Sequence, residues 1–123
     1  MVSTATKSNT IQTSVGAVVL TSSQDYYSIY LNGVFYPTHS GAGNAVYVYA
    51  RVQRLVNGGW KTIETGGFWV TNKGAKIGFH NYAVTGSAMR VHVDVYPGRW
   101  SNWNERYETI GSKTTASVGS FAR

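Results

Sequence analysis

The stretch that most limits what this chain can fold into is residues 45–70, AVYVYARVQRLVNGGWKTIETGGFWV. Val46, Val48, Ala50 and Val52 take every second position, with Tyr47, Tyr49, Arg51 and Gln53 between them. A period of two belongs to a strand that has one face in a core. Asn57, Gly58 and Gly59 follow, and these residues accept the positive φ that a close hairpin turn requires. Trp60, Thr62 and Ile63 carry the chain back, and Gly66 and Gly67 are expected to end the return.

The same period recurs elsewhere. Residues 88–96 alternate most cleanly, with Met89, Val91, Val93 and Val95 expected inside and Arg90, His92, Asp94 and Tyr96 outside. Pro97 and Gly98 are expected to stop that strand. Residues 11–21 read as a first strand bulged at Gly16. Residues 25–36 alternate Tyr27, Ile29 and Leu31 against Tyr26, Ser28 and Tyr30, and Asn32-Gly33 is either a hairpin turn or a kink there. Residues 37–44 form a loop by composition. Asn72, Lys73 and Gly74 make a turn, residues 75–82 a short strand with Ile77 and Phe79 facing one way, and Thr85, Gly86 and Ser87 a break. Residues 99–107 (RWSNWNERY) read as an aromatic, basic loop, and a final strand is centred on residues 114–118.

At 123 residues the chain has the size of one domain. Residues 1–10 are polar and expected to be a flexible N-terminal segment, which leaves residues 11–123 as a single β-sandwich domain. Nine tyrosines, four tryptophans and many β-branched residues suit a pleated, half-buried surface, and no window holds a helical period. About seven short strands with turn residues between them predict an all-β, antiparallel two-sheet β-sandwich, with a closed barrel as the alternative. No apolar run approaches the roughly 18–20 residues of a membrane-spanning helix, so the chain reads as soluble.

The residues VYARVQRLVNGGWKTI, then a glycine-bounded strand, then SAMRVHVDVYPG are similar to small secreted domains of Gram-positive bacteria with an immunoglobulin-like or fibronectin type III-like sandwich. The resemblance covers residues 45–96, and Met89 stands where such strands often carry a tyrosine. It implies a secreted β-sandwich with no established catalytic residues, and it assigns no role to any single position. Whether the topology is Ig-like or a jelly roll stays open at this level. The first residues show no charged segment followed by an apolar one, so no signal peptide is read there. Met1 is taken as an initiator placed before a mature secreted chain, which puts the protein outside the cell.

The chemistry of the side chains argues against an enzyme. The five carboxylates, Asp25, Glu64, Asp94, Glu105 and Glu108, show no pairing of the kind a glycosidase needs, and Asp94 is expected on the exposed side of a strand in a cross-strand ion pair. His92 and Asp94 share a face, yet a zinc site needs three or four convergent ligands, so His39, His80 and His92 read as surface polar residues. There is no cysteine, no Gly-x-Ser-x-Gly elbow and no phosphate-cradling loop before a helix. No cofactor is expected.

What remains is a surface. Eleven basic residues against five acidic ones give a net charge of +6, spread without a run, and this suits either solubility or attraction to a polyanion. If the valines of residues 46–52 and 89–95 share a core, Tyr47, Tyr49, Arg51, Arg90, His92 and Tyr96 form an outward platform. Trp100 and Trp103 would sit at its edge. Aromatic rings with arginine donors suit sugar stacking, polyanion binding or a protein interface; the competing reading packs the same tyrosines under loops or a neighbouring strand.

The favoured function is therefore a non-enzymatic extracellular binding module for an anionic or glycan polymer of a bacterial cell surface. A self-assembling subunit that binds copies of itself comes second, and a cationic membrane-active toxin or bacteriocin third. Nucleic acid is an unlikely partner, because no RNP-like or cold-shock pattern accompanies the aromatics.

Overall fold

The computed structural model describes residues 6–24, 28–39, 43–80 and 88–122. Alternation in the sequence becomes nine strands among these residues: β1 (Thr6–Thr13), β2 (Gly16–Gln24), β3 (Ser28–Pro37), β4 (Asn44–Val56), β5 (Gly59–Val70), β6 (Ala75–His80), β7 (Ala88–Ser101), β8 (Arg106–Thr109) and β9 (Thr114–Ala122). They form two antiparallel sheets. One has the order β1-β2-β3-β6, and the other the order β5-β4-β7, with β8 and β9 both paired to the far side of β7. The expectation of about seven strands is thus corrected to nine, because two segments read as a loose terminus and a loop pair with neighbours. Residues 6–10 pair with β2 from Thr6↔Ser23 onward, and residues 99–101 and 106–107 belong to β7 and β8.

The central hairpin follows the sequence pattern. Asn57 and Gly58 both take positive φ, 51° and 80°, which matches the right-handed twist of the flanking strands. The inward residues of β4 and β7 then meet as pairs, Val48↔Val95, Ala50↔Val93 and Val52↔Val91, all fully buried. Across the layer lie Val18, Leu20, Ile29, Leu31 and Phe35 of the other sheet, in the same apolar cluster. Each such side chain contributes roughly 1.5–3 kcal/mol on leaving water, so this shared cluster is what binds the two sheets face to face.

Several segments depart from the sequence expectation, and packing explains each. Residues 11–21 do not form one bulged strand: β1 ends at Thr13, the chain turns through Ser14 and Val15, and β2 starts at Gly16. The Thr13 hydroxyl donates to the Gly16 carbonyl at 2.7 Å and closes the turn. Asn32 and Gly33 neither turn nor kink, and β3 runs straight through them. Gly33 faces the core, where an added Cβ would stand 3.0 Å from a Val70 methyl of the opposite sheet.

Gly66 and Gly67 do not end β5, which continues to Val70. One glycine is spent on each face: Gly66 makes room inward for Ile77 and Phe79 of β6, and Gly67 outward for the ring of Tyr47. Pro97 and Gly98 do not stop β7, which runs to Ser101. Pro97 lies where β7 changes partner, from β9 (Val95↔Thr114) to β8 (Gly98↔Thr109). Residues 25–27, 40–42 and 81–87, including Tyr26, Tyr27 and the Thr85-Gly86-Ser87 break, lie outside the described residues.

The two sheets are also tied at one side by polar contacts. The buried Ser22 hydroxyl of β2 donates to the Val118 carbonyl of β9, and the Asn9 amide of β1 donates to the Ser117 carbonyl at 3.0 Å.

Candidate binding face

Pairing of β4 with β7 composes the outward face of the five-stranded sheet. Tyr47 lies opposite Tyr96, Tyr49 opposite Asp94, Arg51 opposite His92 and Gln53 opposite Arg90. β5 sets Trp69 beside Tyr47, β8 sets Tyr107 beside Trp100, and β9 sets Thr115 beside Asp94 and Ser117 beside His92. The face divides into three zones.

At one end the rings touch in a row. Tyr96 and Tyr47 have centroids 6.3 Å apart, and Tyr47 meets Trp69 edge-on at 5.2 Å. Trp69 stacks on Tyr107 at 5.4 Å, and Tyr107 meets Trp100 edge-on at 5.0 Å. Contacts of this kind add about 0.5–1.5 kcal/mol each beyond burial. Two glycines create the space for them: a Cβ at Gly67 would overlap the Tyr47 hydroxyl, and one at Gly98 would overlap the Trp69 ring. The Tyr47 and Trp69 rings thereby pass over bare backbone, inclined to one another by 61°.

The middle zone is polar and centred on Asp94. Arg51 donates from a guanidinium nitrogen to Asp94 Oδ2 at 2.8 Å, Thr115 donates its hydroxyl to Oδ1 at 2.8 Å, and Lys113 Nζ stands 3.4 Å from Oδ2. The Arg51 guanidinium also sits over the Tyr49 ring, 4.9 Å from its centroid. Asp94 is only 2% exposed, which corrects the expectation of a surface carboxylate while keeping the cross-strand ion pair. Burial alone would push this carboxyl up. The hydrogen bonds from Arg51 and Thr115 and the charges of Arg51 and Lys113 outweigh it and hold Asp94 down at about 2. Asp94 in turn raises Arg51 above its ordinary value, chiefly through their hydrogen bond.

The far zone holds Arg90 and His92 in internal contacts. Arg90 Nε donates to Gln53 Oε1 at 2.7 Å, Gln53 Nε2 donates to the Thr62 hydroxyl at 3.1 Å, and Arg90 lies over Trp60 at 4.4 Å. A register shift after Val52 tucks Gln53 into this position. His92 Nδ1 is hydrogen-bonded with the Ser117 hydroxyl at 3.0 Å. Burial and the charges of Arg90 and Arg51 lower the His92 imidazole, against an opposing pull from Asp94.

Two shallow hollows open on the first two zones. One, of about 420 Å³, is lined by Tyr47, Trp69, Arg106, Tyr107, Glu108 and Thr109. The second, of about 380 Å³, is lined by Tyr47, Tyr49, Arg51, Asp94, Tyr96, Thr109 and Lys113. Tyr47 and Thr109 border both, so the hollows adjoin. Each lies toward the lower end of the roughly 300–1,000 Å³ usual for small-ligand sites.

Of the residues singled out in the sequence, Tyr47, Tyr49, Arg51 and Tyr96 line these hollows, and Trp100 joins through Tyr107. Arg90 and His92 share the face and turn to other partners. Trp103 stands apart at the tip of the β7–β8 hairpin, 93% exposed. Sequence reasoning left Trp69, Tyr107 and Lys113 out of the site and placed Asp94 in a surface ion pair rather than beneath the face. Trp69 was lost by ending β5 at the glycines, and Tyr107 by reading a hairpin as a loop. The alternation that runs on through Gly67 and Trp69 could have found the first.

Chemically the face can stack planar apolar surfaces and donate hydrogen bonds. Asp94 is ionised and fully engaged at neutral pH, so it offers no transferable proton. Among the described residues, no group of three or more histidines and carboxylates converges as a metal site would require. No protein-family model, no curated protein and no solved structure matches this chain.

Proposed function

We propose that this protein is a non-enzymatic extracellular binding module that holds a glycan polymer of a bacterial surface on the outward face of its five-stranded sheet. The observation that carries this reading is the row Tyr96, Tyr47, Trp69, Tyr107 and Trp100, with Tyr47 and Trp69 seated over Gly67 and Gly98, bordering two adjoining open hollows. The C–H faces of sugar rings match aromatic surface, and sugar hydroxyls match the donors of Arg51 and Thr109. Shallow, open geometry suits a chain that lies across a surface better than a small molecule enclosed by one.

The strand order supports a finer reading of the fold as Ig- or fibronectin type III-like. β5-β4-β7-β9 follows the C′-C-F-G order, and β2-β3-β6 the A-B-E order, with β1 added at one edge and β8, which falls between β7 and β9 in the chain, paired to the C-terminal end of β7.

The test is affinity electrophoresis and co-sedimentation with purified bacterial wall polysaccharides, using the native chain and the Tyr47→Ala and Trp69→Ala variants. Either substitution is expected to weaken binding at least about tenfold, a loss of roughly 1.4 kcal/mol, with the circular dichroism spectrum of the sheet retained. Retention of full affinity in both variants, or failure to bind any wall polysaccharide, overturns the proposal.

A further inference from the structure

The second hollow differs from the first in what it offers a ligand. Its one carboxylate, Asp94, is buried beneath the surface, whereas its two cations reach outward: the side chain of Arg51 is 28% exposed and that of Lys113 is 50% exposed. Asp94 is already satisfied without Lys113, since Arg51 holds one oxygen and Thr115 the other at 2.8 Å each. Lys113, at the longer distance of 3.4 Å, is the spare charge of the cluster. The remaining lining is three tyrosines and a threonine, all bearing hydroxyls.

The inventory at the mouth is therefore rich in donors. An ammonium carries three N–H groups and a guanidinium five, and neither accepts a hydrogen bond. A neutral sugar, which donates as readily as it accepts, leaves much of that capacity unused. An acidic group, acceptor-only and charged, meets it in full, and hydrogen bonds to ionised groups are about twice as strong as neutral ones. The guanidinium is also held still over Tyr49, 4.9 Å from the ring centroid, so little ordering is left for a ligand to impose. The adjoining aromatic hollow, sharing Tyr47 and Thr109, would hold the neighbouring sugar ring.

We infer that the glycan bound on this face is an acidic one, with a carboxylate or sulfate substituent seated against Lys113 and Arg51 in the hollow over Asp94 while its sugar rings lie on the Tyr47–Trp69 row. This rests on the glycan-binding reading above and specifies its ligand.

The experiment compares matched polymers by titration with the full chain: polygalacturonate against its carboxyl-reduced form, and dextran sulfate against dextran. The native protein is expected to prefer the acidic member of at least one pair about tenfold, and which pair shows it tells carboxylate from sulfate. Lys113→Gln is expected to bring the two affinities together, and Lys113→Glu to reverse the preference. Lys73→Gln, which removes an equal charge from the turn between β5 and β6, should leave the preference in place. Equal binding of acidic and neutral members by the native chain overturns this inference and leaves the glycan reading standing, whereas binding to none of these polymers and to no wall polysaccharide overturns both. A preference abolished equally by Lys73→Gln, or untouched by either Lys113 substitution, assigns it to net charge rather than to this hollow and overturns the inference.

Discussion

The ring of Tyr47 occupies the volume that a side chain at position 67 would need: the two residues face outward on neighbouring strands, and an added Cβ on Gly67 would overlap the tyrosine hydroxyl. Gly67→Val is therefore expected to drive Tyr47 off the sheet. Overpacking of this kind costs about 1–3 kcal/mol, to be read as a lower urea midpoint with an unchanged slope, and polymer binding should fall with it.

Asp94 makes stability depend on acid. Its folded-state value of about 2 lies below the unfolded one near 3.9, so the unfolded chain takes up the proton first as pH drops. The resulting contribution, on the order of 2 kcal/mol, is complete above about pH 4 and is lost as pH falls towards 2. Asp94→Asn should destabilise the protein by about 2 kcal/mol at neutral pH and flatten that acid limb, as measured by urea unfolding at a series of pH values.

His92 behaves in the same direction at a higher pH. Burial, Arg90 and Arg51 lower its imidazole, so the folded protein accepts this proton later than the unfolded chain, whose histidines titrate near 6.5. Stability is expected to decline as pH falls through that value. Arg90→Gln removes one of the opposing charges and should move the His92 midpoint upward in an NMR titration of the ring protons.

Trp103, 93% exposed at a hairpin tip, does nothing for the core. The tip is ordered without it: Asn104 donates its backbone N–H to the Ser101 hydroxyl at 3.1 Å and its side-chain amide to Glu108 at 2.9 Å. Trp103→Ala should change stability by no more than about 0.5 kcal/mol, checked by thermal unfolding.

The period-two segments were legible in the sequence because burial of one face of a strand writes itself into every second residue. Residues 46–52 and 89–95 are buried at the positions the alternation picks out. Glycine and proline misled in both directions. Gly33, Gly66, Gly67 and Gly98 resemble turn residues in a list, yet each is small because something from elsewhere in the fold lies against it: a valine, a pair of core side chains, a tyrosine ring or a tryptophan ring. Such neighbours are distant in sequence and leave no local trace. The site was half visible for the same reason. Tyr47, Tyr49, Arg51 and Tyr96 announce themselves by their place in the alternation, whereas the roles of Asp94 and Lys113 exist only once three strands have met.

That last condition has a kinetic side. β4 and β7 pair between Asn44↔Arg99 and Arg54↔Met89, and Thr115 reaches Asp94 only after β9 has docked on β7. Sandwiches built on such distant pairings fold in milliseconds to seconds. A ligand seated over Asp94 and Tyr47 would grip a set of contacts that exists only in the assembled sheet. Because it would bind the folded chain alone, its effect would be to raise the apparent stability of the finished sheet in step with its own concentration.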